Sequence, residues 1–591
     1  MFLRCNRRKK DGKLHEYWSV VENRRLADGR VVQRQVLYLG EINASQREAW
    51  RKTVEVQEAG TRRQVALFPA GSMPADDVDA IGVRVSELSL RRPRQWGACW
   101  LALSLWQQLE LDTFWAPRLP SSREGTPWLK VLKTLVTYRL IDPGSEWRLH
   151  RQWFDASAMA DLLDADFALA EKNTLYRCLD KLVAHKDDLL KFLVGRWGEL
   201  FGAKFDVLLY DLSSTYFESD TPRDEDDLRQ YGYSRDNRGD CRQIVIALIV
   251  TPEGFPLSYE VLSGKTTDIT TLSGFLDRIE HRYGRANRIW VMDRGIPTED
   301  SLAKMRSMGA SYLVGTPKGR LTKLEQQFLA LPWAQVRDGV QVKRLSTEED
   351  GYVLARSDAR VHKERGMRRR RLRRYVERLQ ALQGQSLTRD QLLMKLGAAK
   401  HDAGRAANLV RISLPVASTT TASFEFRLDR AKLRQTRRRE GRYLLRTNLQ
   451  GHDPAQLWTF YIQLTEVEQA FKELKHDLSI RPIYHHDPGR IEAHVFVAFL
   501  AYCLQVTLKA RLRPAASGIT PREVITKFKS MQMVDVHLPT ADGRELVLSR
   551  YTQPEPEHRM LLDQLHLALP EQPPPKITSR QLDSPAPAAS V

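Results

Sequence analysis

Three acidic residues stand out by type and position. Asp211 follows the apolar run Val207-Leu208-Leu209-Tyr210, and Asp293 follows Ile289-Trp290-Val291-Met292. Each precedes turn or helix-start residues, Ser213-Ser214-Thr215 in one case and Gly295 and Pro297 in the other. A carboxylate at the end of a buried strand is held at the sheet margin, where ligands bind. A lone Asp there more often caps the next element, but two on adjacent strands can share a divalent cation. Such oxygen donors suit Mg²⁺, with Mn²⁺ as a substitute. The cation would lower the pKa of a bound water or stabilise a leaving oxygen. Zinc is not expected, because Cys5, Cys99, Cys178, Cys241 and Cys503 are scattered and form no C-x-x-C pair.

The third carboxylate comes from helix geometry. Residues 454–478 carry a helical pattern that opens on Pro454. With Glu468 at zero and about 100° per residue, Tyr461 and Lys475 lie within about 20° of it. Phe460, Leu464, Val467, Phe471, Leu474 and Leu478 form an apolar stripe centred roughly 80° to one side. Glu466 and Glu473 fall about 140–160° away, on the expected solvent face. Glu468 is therefore the acidic residue expected beside the buried stripe.

The elements that must position these groups follow from pattern. Strands are expected at 205–211, 242–251 and 255–262, the last two joined by a Pro252-Glu253-Gly254 turn. A helix at 270–283, a strand at 288–293, a helix from Pro297 to Met308 and a strand at 310–315 follow. Three strands, helix, strand, helix, strand is an RNase H-like progression, in which the strands bearing Asp211 and Asp293 are neighbours. The fold class expected is α/β: a mixed five-stranded sheet with helices, interrupted by a β-rich insertion, with β and helical regions ahead of it.

The domains expected are a basic β/α region at 1–95, a helical, DNA-binding domain at 96–204 and the first part of the core at 205–320. An inserted β-rich and basic-helix domain spans 321–450, the second part of the core 451–515, and a C-terminal region 516–591. A hairpin turning at Ala27-Asp28-Gly29, a polar helix at 45–58 and a disordered tail after about 570, with Pro573-Pro574-Pro575, complete the reading. In the helical region, Thr174 to Leu193, capped by Asn173-Thr174, could enter a major groove, although a packed bundle that touches nothing is the commoner outcome.

Charge narrows the partner. Lys and Arg number 92 against 73 Asp and Glu, a net charge of +19, which favours a polyanion. The longest apolar run, Val495 to Val506, is short of the roughly 20 residues that span a bilayer. The chain opens on Arg4, Arg7, Arg8, Lys9 and Lys10 rather than an apolar leader. No membrane role is expected, and a reducing cytoplasm is.

Residues 461–475 read Tyr-x2-Leu-x3-Glu-x6-Lys, which resembles the Y-x2-R-x3-E-x6-K signature of bacterial insertion-sequence DDE transposases. Asp211-Leu212-Ser213-Ser214-Thr215-Tyr216-Phe217, Asp293-Arg294-Gly295 and Arg481-Pro482-Ile483-Tyr484-His485 are similar to segments of that group. The gaps of 82 and 175 residues between the three acids also fit, the second leaving room for the insertion. The resemblance implies that Asp211, Asp293 and Glu468 hold two Mg²⁺ ions, free the element's ends and join them to target DNA. It gives Tyr461 and Lys475 the end phosphate, with Arg481 nearby. The family Arg is Leu464 here, which leaves Arg294 and Lys472 to supply its contact.

A dense stripe in the insertion, Arg368, Arg369, Arg370 and Arg371, continued by Arg373 and Arg374 and by Arg437-Arg438-Arg439, is expected to meet DNA backbone. Trp333 is the candidate for stacking on an unpaired base. His485, His486 and His494 match no common zinc spacing and read as surface or phosphate-contacting residues. Pairing of two element ends implies a homodimer on DNA. The competing readings are an RNase H-fold nuclease that cuts without joining, and a domesticated DNA-binding protein without catalysis.

Overall fold

The computed structural model describes residues 2–10, 13–25, 31–44, 46–47, 50, 82–218, 227–234, 236, 238–266, 268–284, 288–347, 349–414, 424–515 and 518–579. The chain forms two compact units, one of residues 1–286 with 465–591 and one of residues 287–464. The expected turn at Ala27-Asp28-Gly29 and most of the expected helix at 45–58 lie outside the described residues.

The first unit opens with an antiparallel sheet of β1 (Phe2–Lys10), β2 (Lys13–Arg25) and β3 (Val31–Gly40). The two expected strands are β2 and β3; the basic run of β1 hid its strand character. Gly40, at φ +73°, lies so close to Gly518 that a Cβ would sit 2.6 Å from the Gly518 Cα. Only glycine meets both demands.

β4 (Ser89–Gln95) leads into helices α1 (Gly97–Gln108), α2 (Trp128–Ile141), α3 (Lys172–Leu179) and α4 (Lys186–Phe201). The helix expected from Thr174 to Leu193 is thus two helices. Its cap is not Asn173-Thr174 but Glu171, whose side chain accepts from the Thr174 amide at 2.9 Å.

A meander of β5 (Val207–Tyr216), β6 (Gln243–Val250) and β7 (Pro256–Ser263) follows, then α5 (Asp268–Tyr283). β6 is buried along its whole length, as its unbroken apolar run requires. The 251–255 turn closes through Thr251 N–H to Phe255 O, 2.8 Å. β5 does not stop at Ser213. Ser213, Ser214 and Thr215 are buried and paired to β6, so Asp211 lies within the strand, opposite Leu248, and not at its end. Small hydroxyl side chains continue a ladder when a neighbouring strand offers backbone partners.

In the second unit, β8 (Ile289–Met292) and β9 (Ser311–Gly315) are parallel, linked by α6 (Glu299–Ser307), as a parallel pair requires. After α7 (Lys318–Leu329) come β10 (Ala334–Arg337), β11 (Val340–Ser346) and β12 (Gly351–Ser357). A hairpin of α8 (Asp358–Gln383) and α9 (Arg389–Ala403) then packs Tyr375, Leu379, Leu392 and Leu396 into a core of its own. β13 (Val410–Ser413), β14 (Glu425–Leu428), α10 (Arg430–Arg439), β15 (Arg442–Thr447) and α11 (Pro454–Ile462) complete the unit. Within it the strands run β10-β11-β12-β15-β9-β8, so β15 returns to lie between β12 and β9.

Back in the first unit, α12 (Leu464–Lys472) ends in a π turn at Glu473–Asp477. α13 (Pro488–Ala515) is long and apolar enough to cross a membrane, but its most apolar window is 94% buried. A helix apolar all round is a central core helix, and α13 packs against α1, α2 and α3. α14 (Pro521–Phe528), β16 (Gln532–Pro539), β17 (Arg544–Tyr551), α15 (Pro556–Leu565) and β18 (Lys576–Ser579) follow. β18, β17, β16 and β4 form one sheet, sealed by buried Arg94 between Asp161 (2.7 Å) and Asp535 (2.9 Å). The tail is therefore ordered through Ser579: the Gln572 amide donates to Tyr551 O at 2.9 Å and β18 pairs with β17. Its final residues, 580–591, lie outside the described residues.

Candidate active site

In the second unit, Asp293 directly follows β8 and is exposed. The Tyr461 hydroxyl, from α11, donates to Asp293 Oδ1 at 3.0 Å. Burial and the neighbouring Asp293 charge push the Tyr461 phenol far up, so it remains a donor. Gly315, at the end of β9, makes this contact possible. A Cβ there would lie 2.5 Å from the Tyr461 hydroxyl and 3.2 Å from the Arg294 amide. Asp293, Arg294, Arg360, Arg442, Tyr443 and Tyr461 line a hollow of about 230 Å³. Arg294 also borders a cleft of about 1090 Å³ with Arg320, Lys323 and Arg446. Under that cleft, Arg446 bridges buried Asp350 (2.6 Å) and Glu299 (2.8 Å). An open acidic group flanked by a phenol donor and several guanidinium groups is suited to a phosphate-bearing ligand and a cation together.

In the first unit, Asp211 is half-buried on β5, and Glu468 is exposed on α12. Glu473, not Glu468, takes the buried position expected of the acid on this helix. Glu473 is buried, accepts from Gln469 at 3.0 Å, and burial raises its pKa. Glu466 pairs with Lys509 of α13 at 2.9 Å. The face taken for solvent is covered by α13, and the π turn changes the rotation beyond Lys472. Glu468 is the one of the three left facing water. Lys475 is held by Asp236 (3.1 Å), which also pairs with Arg481. Lys472 borders a separate cleft with Lys509 and Arg513.

Residues 217–504 match a family model for the transposase DDE domain, and residues 3–66 match that for the N-terminal domain of IS1634 family transposases. The chain belongs to the insertion-sequence DDE transposases. The first match includes Asp293, Tyr461, Glu468 and Lys475 and begins six residues beyond Asp211. No curated protein matches the transposase.

The arginine stripe of this transposase is not uniform. The Arg368 side chain is turned inward onto Glu440 at 2.5 Å, whereas Arg369, Arg370 and Arg371 are exposed. Trp333 packs against the core cluster of Leu321, Phe328, Tyr352, Leu354 and Leu444, with Lys343 and Arg442 over its ring.

His485 and His494 are not surface residues. They are buried with Glu146 and Arg139, their nitrogens close enough to Glu146 to suggest a metal cluster. His494, however, has partners at both ring nitrogens: Ile480 O at 3.2 Å from Nε2 and Arg139 Nη2 at 3.4 Å from Nδ1. Burial, then the Arg139 charge, lowers its pKa to about 4. Burial alone would raise the Glu146 pKa, but both histidines hold it well below the usual range. Arg139 already balances Glu146, so added cation charge would be uncompensated in a dry site. The cluster is a structural lock between α2 and α13. His486, by contrast, is exposed and its Nδ1 accepts from Arg229 at 2.9 Å.

Asp236, Gly315 and Tyr443 were not singled out from sequence. Asp236 stands in a polar loop with no periodicity, and Gly315 ends a strand where glycine is commonplace.

Proposed function

We propose that this transposase cuts DNA at the ends of an insertion sequence and joins those ends to target DNA, in a Mg²⁺-dependent reaction on an RNase H-like core. The observation that carries the reading is the Tyr461–Asp293 hydrogen bond. It joins the first residue of the Tyr-x2-Leu-x3-Glu-x6-Lys segment to an acid 168 positions earlier.

The family uses divalent metal ions, and the donor set fits Mg²⁺: Asp293 and Glu468 are exposed carboxylates, and Asp211 is half-buried. Asp211, Asp293 and Glu468 would hold the metal, which when bound supplies acidity to water or a 3′-hydroxyl and charge neutralisation at the leaving oxygen. Tyr461 fixes the Asp293 carboxylate in one orientation and keeps its own proton. Arg294, at the mouth of the adjoining hollow, supplies positive charge where Leu464 has none. Lys475 and Arg481 engage phosphate. Arg369, Arg370 and Arg371 track the DNA backbone, and Lys472 and Arg368 contribute through position rather than direct contact. The helical region 96–204 and the basic N-terminal sheet bind the element ends, a homodimer pairs two ends, and the protein works in the cytoplasm.

The test is a strand-transfer assay with labelled element ends and Mg²⁺ or Mn²⁺. Cleaved and joined products are expected from the wild-type chain. Cleavage without joining would instead make it a nuclease, and DNA binding with neither would make it non-catalytic.

A further inference from the structure

In the first unit, Lys475 and Arg481 converge on one carboxylate. Asp236 Oδ1 lies 3.1 Å from the Lys475 ammonium, and Oδ2 pairs with the Arg481 guanidinium. Each of the three side chains is 15% exposed or less. Arg481 is further fixed over the Tyr216 ring, 5.7 Å from its centroid. Both cations depress the Asp236 pKa against burial, so the carboxylate is ionised. Two sheltered cations side by side repel one another unless an anion lies between them. Asp236 provides it from a turn between Gln230 and Gln243, which pair as an isolated bridge, and not from a strand or helix.

A carboxylate carries the same charge as a phosphodiester and presents two oxygens to the same donors. We propose that Asp236 is a phosphate stand-in. It keeps Lys475 and Arg481 positioned in the DNA-free protein and is displaced when a DNA phosphate arrives. This rests on the reading that these two cations serve DNA, and adds a positioning residue to it. Because a freed Asp236 takes up a counterion, the wild-type chain releases one ion fewer on binding than its cation contacts would give.

The test measures binding of the full chain to a short fluorescein-labelled DNA duplex by anisotropy across a salt series. Asp236→Asn is expected to bind about threefold more tightly, because an arriving phosphate no longer has to displace a carboxylate. Its log K against log salt slope should be steeper by about 0.9. Asp236→Glu should restore wild-type behaviour. Asp240→Asn removes the same charge from an exposed carboxylate paired with its neighbour Arg238 (3.0 Å), and should change affinity less. A damaged fold does not tighten binding, so a gain is diagnostic. Equal gains for Asp236→Asn and Asp240→Asn, or weaker binding by Asp236→Asn, would overturn the stand-in while leaving DNA binding intact. A wild-type chain that binds no duplex overturns both.

Discussion

Two acidic centres of this molecule contrast sharply. Around Glu146 a carboxylate, two histidines and an arginine are sealed from water, and each charge is answered within the cluster. Around Asp293 the carboxylate is exposed, receives one phenol hydrogen bond and faces a hollow edged with arginine. The first centre has the residue types of a metal site and the electrostatics of a rivet. The second has fewer ligands in view and leaves room for a ligand. Residue type is thus a weaker guide to chemistry than whether charge is already satisfied.

The strongest way to break this contrast is to neutralise the open carboxylates. Asp293→Asn and Glu468→Gln should each lower Mg²⁺-dependent end cleavage by about 10³-fold or more. Being exposed, they should change stability by no more than about 0.5 kcal/mol, read by thermal melting. A large loss of stability with retained cleavage would reverse the roles assigned to the two centres.

Glu146→Gln should do the opposite, costing about 3 kcal/mol because it leaves buried Arg139 uncompensated. The pH dependence has the same origin. The folded His494 pKa, about 4, is below its ordinary 6.5, so the unfolded chain binds the proton first. Its contribution is complete above pH 6.5 and lost as pH falls towards 4. The depressed Glu146 acts in the same direction at lower pH, its contribution present above the ordinary value of 4.5 and lost as pH falls through its folded pKa. A His494→Gln variant should show a flatter melting profile between pH 6.5 and 4.

Smaller effects sharpen the open centre. Tyr461→Phe should reduce cleavage about 10- to 100-fold, the worth of a hydrogen bond to a charged group. Gly315→Ala should match it by displacing the same hydroxyl, while both proteins still bind DNA. Smallest of all, Arg370→Gln and Arg371→Gln should each reduce the salt slope of DNA binding by about 0.9. Arg368→Gln should instead loosen the Glu440 contact and lower the melting temperature.

The order of strands and helices from Val207 to Gly315 was legible because local period and turn chemistry agree there. α9 was not, although Thr388 and Gln391 form a capping box; exposed Leu393 and Met394 sit beside buried Leu392 and Leu396, so no single apolar face stands out. The sheet joining Ser89–Gln95 to the C-terminal strands was invisible for another reason, since nothing local specifies a partner hundreds of residues away. Asp293 and Tyr461 were found individually, but their contact needs Gly315, whose importance is only spatial. Glu466, Glu468 and Glu473 were sorted onto the wrong faces because one helix wheel cannot show a second helix covering its far side.

That distant pairing sets the timing of synthesis. Arg94 cannot meet Asp535 until 441 more residues have been made, roughly 20–90 s at ordinary bacterial translation rates. Through that interval the nascent chain carries β4 without its partner strand and α2 without α13. A ribosome that stops early releases a protein whose first-made unit is unfinished, so a truncated copy should be fodder for proteases rather than a competitor for the element's ends.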